Sequence, residues 1–395
     1  MRLAGRMDRI GTETAFEAAA RARALEATGR EVIHLEIGEP EFDTPRHIKE
    51  AASSALLNEG LTHYTHSTGI EPLREAIAED AVRRKGIDAT LERVIVTPGA
   101  KPIMFYAMLA LIDEADEVIY PDPGFPIYES MIRFAGGRPV AAPLREERDF
   151  RMDVEEVASL VTDRTRMIVI NSPHNPTGSV LTGDDIRALA DMAMERDLFV
   201  LADEIYSRLQ YDGEPTSIGA IPGMDDRTIT LDGFSKTYAM TGWRLGYGIV
   251  PEWLTLAFSR LVINSVSCTS AFSQAGAVAA LTGPQDEADA MREEFRARRQ
   301  LVVERLNAIE RVSCVMPHGA FYAFPNISSF GASSADMADH LLHDAGVSTL
   351  AGTAFGAHGE GFLRLSYANS RANLSRALDL IEESLARAAA PVASR

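Results

Sequence analysis

The sequence predicts an α/β fold: a large domain built on a mainly parallel sheet covered by helices on both faces, joined to a smaller α+β domain. Three observations lead there. Between about residues 94 and 231, short apolar runs alternate with helical stretches, the order expected of strands joined by crossover helices. The runs are apolar throughout rather than alternating, as in strands buried on both faces. After about residue 282 the texture changes to a long charged helical stretch, and 395 residues exceed what one simple core organises.

The elements follow in order. Thr14 and Glu17 have the spacing of a capping box before an alanine-rich helix that Gly29 can end. VIHLEIGEPEFDTP breaks at Gly38, Pro40 and Pro45 and reads as a linker. Val94–Val96 is a strand, followed by Gly99-Ala100 and an apolar helix over Ile103–Leu111. Glu117–Tyr120 and Met167–Ile170 are further strands, ended by PDPG and NSPHNPTG. Thr182 and Asp185 cap a helix whose Ile186, Leu189, Ala190 and Ala193 share one face. Leu198–Ala202 and Thr228–Leu231 complete the strands, and a charged helix spans about Asp286–Ile309. The division is an amino-terminal arm over 1–45 that joins the smaller domain, a large domain over 46–282, and a carboxyl-terminal domain over 283–395.

Composition narrows the function. The net charge of −18 argues against nucleic acid, whose backbone calls for clustered Lys and Arg. No run reaches the ~20 apolar residues of a membrane span. The first residues carry Asp8, Glu13 and Glu17 and lack the apolar core of a signal peptide. Two cysteines, Cys268 and Cys314, build neither a disulfide framework nor a cysteine-rich metal site. A cytoplasmic enzyme is expected.

The unusual residues cluster just after the strands, where open α/β sheets bind ligands. Gly99-Ala100-Lys101 places small residues at a helix start, whose N–H groups attract phosphate, although a simple tight turn reads the same way. Asp203 ends an apolar strand, where a carboxylate suits either a cationic partner or a helix N-cap. Adjacent Asp203 and Glu204 point apart, which disfavours a metal, and His340 and His343 read as a solvated helix face. Asn175 lies in a turn fixed by Pro176 and Gly178. Lys236, in GFSKTYAMTGWRLGYG, follows a strand end among small or semi-apolar residues, where desolvation favours a neutral amine. Arg244 in the same string can reach an anion.

These strings together resemble the class I and II aminotransferases, and the bacterial aspartate aminotransferases in particular. Those that carry the likeness are IGEP at 37–40, YTHSTGIEPLREAI from Tyr64, TPGAK at 97–101, DPGFPIY at 122–128, NPTG at 175–178, DEIY at 203–206, the lysine string, and RLSYA from Arg364. They span nearly the whole chain. The resemblance implies a seven-stranded sheet, a homodimer with shared active sites, and pyridoxal 5'-phosphate bound through Lys236 as a Schiff base. It further implies that Asp203 pairs with the pyridine nitrogen, and that Asn175 and Tyr206 bond the phenolic oxygen. Phe125 stacks on the ring. Gly99, Ala100, Lys101, Arg244 and Ser235 surround the phosphate, with Tyr64 reaching the partner's cofactor. Arg364, with the backbone near Gly38 and Asn175, grips the substrate α-carboxylate.

The sequence departs from some members at Gly233, where they carry serine, and at Phe125, where they carry tryptophan. No residue is identified for a distal carboxylate, so the preference for aspartate with 2-oxoglutarate rests on the likeness alone. Elimination chemistry on the same fold, as in carbon–sulfur β-lyases or aminocyclopropane-carboxylate synthase, shares these motifs. A regulator of this fold would need a basic head before the first motif at residue 37.

Overall fold

A computed structural model describes residues 2–213 and 215–389. Its main sheet has seven strands, after a short first strand β1 (Ile33–His34). They are β2 (Val94–Thr97), β3 (Glu117–Asp122), β4 (Arg138–Pro143), β5 (Thr165–Asn171), β6 (Phe199–Asp203), β7 (Thr228–Gly233) and β8 (Gly246–Ile249). Their spatial order is β2-β8-β7-β6-β5-β3-β4, and only β8 runs antiparallel to its neighbours. The carboxyl ends of β2, β3, β5, β6 and β7, and the start of β8, therefore meet along one edge.

Neighbouring residues on each strand enter opposite cores, which explains the unbroken apolar runs. Val118, Val169, Leu201 and Leu231 pack with the helices Lys101–Leu111 and Thr255–Ser265 on one face. Ile119, Ile168, Ile170 and Val200 pack on the other with Ile186, Leu189 and Ala193 of the helix Gly183–Glu195. That helix carries the expected capping box, with Thr182 and Asp185 satisfying each other's backbone N–H.

A further core gathers Ile33 and Leu35 with Phe295, Val302, Phe321, Val347, Leu365 and Leu378. It covers β9 (Tyr322–Ala323), β10 (Val347–Ser348), β11 (Leu350–Ala351) and β12 (Leu363–Ser366). Strand β1 pairs parallel with β10, and β11-β12-β9 form an antiparallel sheet. The charged helix spans Asp286–Ala308.

Some expectations need correction. The capping box at Thr14 and Glu17 does not form: Thr14 is the first residue of the helix Thr14–Glu26, and Glu13 takes the N-cap position without a side-chain cap. Glu13 instead turns its carboxylate to Lys101, away from the backbone of the helix. The stretch read as linker contains β1. Strand β4 escaped notice because of its two prolines, tolerated here because it lies at the sheet edge. Strand β8 went unread because it lies in a glycine-rich segment, where a strand pattern is weak. A Cβ on Gly246 would stand 2.4 Å from the Ala100 nitrogen, and one on Gly248 would stand 2.9 Å from Ile103. The glycines let the helix Lys101–Leu111 lie against the sheet.

Behind the sheet edge, Lys85 is buried between Glu204, at 2.7 Å, and Asp232, at 2.6 Å. Burial opposes its charge, but the two carboxylates prevail and hold it protonated. Lys85→Met would leave two buried carboxylates without their cation and should cost roughly 3–5 kcal/mol. Denaturant unfolding of wild type and variant measures this, and the variant's midpoint should fall well below that of the wild type.

Candidate functional site

The sheet edge opens into a cavity of about 460 Å³. Each strand end delivers a side chain. At the end of β6, Asp203 is 3% exposed and receives the Tyr128 hydroxyl at 2.6 Å and the Ile205 N–H at 3.2 Å. Burial raises its carboxyl to about pKa 6, against the lowering effect of the Tyr128 bond. The N-cap alternative fails, since the short turn Ser207–Leu209 has no side-chain cap. Glu204 turns away to Lys85 and Ser217, so the two acids diverge.

Past β7 comes Lys236. Its amine donates to the Gly38 carbonyl at 2.6 Å, and burial lowers its pKa to about 8, with Glu39 opposing. It forms no ion pair with Asp203. Gly38 is required by a close approach, because a Cβ there would stand 2.0 Å from the Tyr322 hydroxyl. That hydroxyl lies 2.7 Å from the Tyr206 hydroxyl.

Arg364, on β12, is 4% exposed. It donates to the Asn175 side-chain oxygen at 3.2 Å and to the Glu36 carbonyl, and it lies over the rings of Tyr322 and Phe355. Because a guanidinium only donates, it fixes the Asn175 amide with its oxygen toward the arginine and its NH2 directed elsewhere. The Arg364 Nε has no hydrogen-bond partner, and among the described residues the guanidinium has no carboxylate partner. A buried cation without an anion is costly, so the site is built to receive one.

At the start of β8, Arg244 adopts φ 55° and donates to the Thr241 carbonyl at 2.9 Å. Its guanidinium lies on Gly99, where a Cβ would come 2.2 Å from Nη2. Arginine and the N-terminus of the helix Lys101–Leu111 thus converge on an anion seat.

A model of the family described as aminotransferase class I and II matches residues 30–381. The chain belongs to that family. The aromatic-amino-acid aminotransferase 2 of Thermococcus litoralis is 43% identical over 358 residues, covering 90% of this chain and 92% of its own. The aspartate aminotransferase of Pyrococcus abyssi is 42% identical over 360 residues, with the same coverage of each. The solved aspartate aminotransferase of Thermus thermophilus with maleate superposes with a TM-score of 0.92 at 38% identity, covering 97% of this chain and all of that one. This aminotransferase is an enzyme of amino-group transfer, in a family that uses pyridoxal phosphate.

Of the residues singled out from the sequence, Gly38, Ala100, Lys101, Phe125, Asn175, Asp203, Tyr206, Ser235, Lys236, Arg244 and Arg364 all line this one cavity of the aminotransferase. Gly99 sits just behind, under Arg244. Tyr64 does not join them, being 89% exposed on the loop before the helix Glu71–Lys85. The side chain of Lys101 turns to Glu13, with its ammonium 5.4 Å from the Phe125 ring centre. His340 and His343 bond Ser384 and Asp339 and do not line the cavity.

Sequence reasoning missed Tyr128, Tyr322, Asn171 and Glu13, which also line the cavity. Tyr128 stood within DPGFPIY and could have been weighed as the partner of a strand-end acid. Asn171 holds the Asp203 carbonyl at 2.9 Å, a role no spacing reveals.

The raised carboxyl of Asp203 gives the cofactor-free protein a pH signature. A folded-state pKa above the unfolded one contributes stability fully present below about pH 4 and lost as pH rises through about 6. Asp203→Asn should remove that loss. Between about pH 4 and about pH 7.5 the variant should gain roughly 2–3 kcal/mol relative to wild type, read from paired unfolding curves.

Proposed function

We propose that the cavity binds pyridoxal phosphate and transfers the amino group of an L-amino acid, aspartate first, to a 2-oxo acid such as 2-oxoglutarate. The observation that carries this is a half-buried amine at Lys236, without a carboxylate partner, facing the same cavity as the buried acid Asp203. The residues fit the cofactor. Arg244, the backbone at Gly99, Ala100 and Lys101, and Ser235 would hold its phosphate. Asp203, oriented by Tyr128, would hold its ring nitrogen in the charged form. Tyr206 and the Asn175 NH2 would donate to its phenolic oxygen, and Phe125 would cover its ring. When bound, the cofactor supplies a sink for the electron pair released as the substrate's α-proton leaves.

The chain does the rest. Arg364 takes the α-carboxylate through two parallel N–H donors, and that anion supplies the charge partner the buried guanidinium lacks. Lys236 would hold the cofactor covalently. Its neutral amine would serve as the general base for the substrate's α-proton. A pKa near 8 leaves a substantial neutral fraction of such an amine at neutral to mildly alkaline pH.

With Arg364 for the α-carboxylate, Arg244 for the phosphate and Lys236 for the cofactor, Lys101, paired with Glu13, is the remaining cation lining the cavity for a side-chain carboxylate. This favours aspartate and accords with the maleate held by the Thermus enzyme. The name of the Thermococcus relative keeps aromatic substrates in view. The separate core around Phe295 and Leu365 supports a domain boundary near residue 282, with the first 45 residues joining the carboxyl-terminal part. The acidic charge and the two free cysteines support a cytoplasmic setting.

A half-reaction screen tests the reading. L-aspartate should bleach the visible band of the holoenzyme, and 2-oxoglutarate should restore it. Borohydride reduction should label Lys236 alone. Arg364→Ala should lower kcat/KM by roughly 2–5 kcal/mol in transition-state binding while cofactor binding survives. Product release without any oxo acid would make the enzyme a lyase instead.

We also infer a homodimer in which Tyr64 crosses to the neighbouring site, which accounts for so exposed a tyrosine on the loop before Glu71. Tyr64→Phe should lose about tenfold or more in activity, for one charge-assisted hydrogen bond. Co-refolding Tyr64→Phe with Lys236→Ala chains should then restore up to about half of wild-type activity per mixed dimer, because one site regains both groups. Activity no higher than that of the Tyr64→Phe chains alone would place the tyrosine in its own subunit.

A further inference from the structure

One wall of the cavity lies outside the sheet. Glu13, Ala15 and Phe16, at the start of the helix Thr14–Glu26, close it from the amino-terminal side. The Glu13 side chain is 15% exposed and pairs with Lys101, whose own side chain is 44% exposed. Although Glu13 sits at the N-cap, its carboxylate bonds no backbone N–H of the helix. It can leave Lys101 without uncapping anything. Its charge also reaches into the site. Burial dominates the titration of Lys236 and Arg364, but Glu13 is among the charges acting on each.

We propose that Glu13 is an internal stand-in for the distal carboxylate of a dicarboxylic substrate, occupying Lys101 when the substrate side chain is apolar and yielding it when that side chain is acidic. The proposal rests on the reading that Arg364 seats the α-carboxylate. Lys101 stands on the cavity wall beside Phe125, where a large apolar substrate would strip water from it. Left without an anion there, it would oppose binding. Glu13 removes that cost, and Phe16, 62% exposed, adds apolar surface beside it. An acidic side chain exchanges one carboxylate for another, so the charge on Lys101 stays matched. A single pocket can thereby accept two unlike side chains, at the cost of some affinity for the acidic one.

The test uses holoenzyme and two carboxylic acids that occupy the site without reacting: succinate, with a distal carboxylate, and 3-phenylpropionate, without one. Their dissociation constants are measured by calorimetry for wild type, Glu13→Gln, Lys101→Met and the double variant. Removing the internal competitor should tighten succinate by about fivefold, the upper end for a partly exposed pair, and weaken 3-phenylpropionate by a similar factor. In the Lys101→Met background, Glu13→Gln should no longer tighten succinate, since there is no cation left to compete for. Steady-state kcat/KM for aspartate and phenylalanine should shift in the same opposite senses. The proposal is overturned if Glu13→Gln moves both acids in the same direction, or if its effect on succinate persists undiminished without Lys101. Arg364→Ala checks the underlying seat separately: it should weaken both acids alike, and failure there removes the α-carboxylate assignment rather than the role of Glu13 alone.

Discussion

A buried carboxylate and a half-buried amine share one sheet edge without being allowed to neutralise each other. Asp203 and Lys236 each lose hydration, and each receives only what keeps it in place: a tyrosine hydroxyl and a backbone N–H for the acid, a carbonyl for the amine. An ion pair between them would be cheaper for the fold and useless for chemistry. Parallel pairing of β5, β6 and β7 sets them apart, because it brings Asp203 and the chain just past Gly233 out at one edge on neighbouring strands. The site is a place where the fold forgoes stability so that two groups remain available.

The second sheet contributes through contact rather than continuity. Strand β12 brings Arg364 against Asn175 in the turn after β5, and β9 brings Tyr322 against both Gly38 and Tyr206. Binding at such a junction reports on how the two cores sit together. A glycine and two tyrosines fix that distance more tightly than any single hydrogen bond, since the Gly38–Tyr322 approach leaves no room for a side chain.

Much of this was legible in the sequence. The two-faced burial of the sheet showed in its apolar runs, and the capping box at Thr182 was read correctly because it depends only on local spacing. Eleven of the residues chosen from motifs line one cavity, because most of the motifs mark strand ends of the main sheet, which converge, while Gly38 and Arg364 reach it from outside that sheet. What escaped was decided at long range. The box at Thr14 failed because the helix starts one residue earlier than the spacing implied, with Glu13 at the N-cap facing a lysine 88 residues away. Strand β8 was obscured because its glycines serve a helix packed over them. Asn171 and Tyr322 look like ordinary strand residues, and only the assembled fold shows what they touch. Tyr64 is the remaining case: its motif was clear, yet within one chain it reaches nothing in the cavity.

The buried cluster of Lys85, Glu204 and Asp232 bears on the order in which the molecule assembles. Its members are separated by 119 and 147 residues along the chain, so it closes some of the longest loops in the main sheet. Contacts of that span form late, after the entropy of closing the intervening chain has been met. Glu204 directly follows Asp203, and Asp232 lies four residues before Lys236. The strand ends that carry the reactive groups are thus locked from behind only once the chain between 85 and 232 is in place. A partly folded chain carries the motifs but not the site.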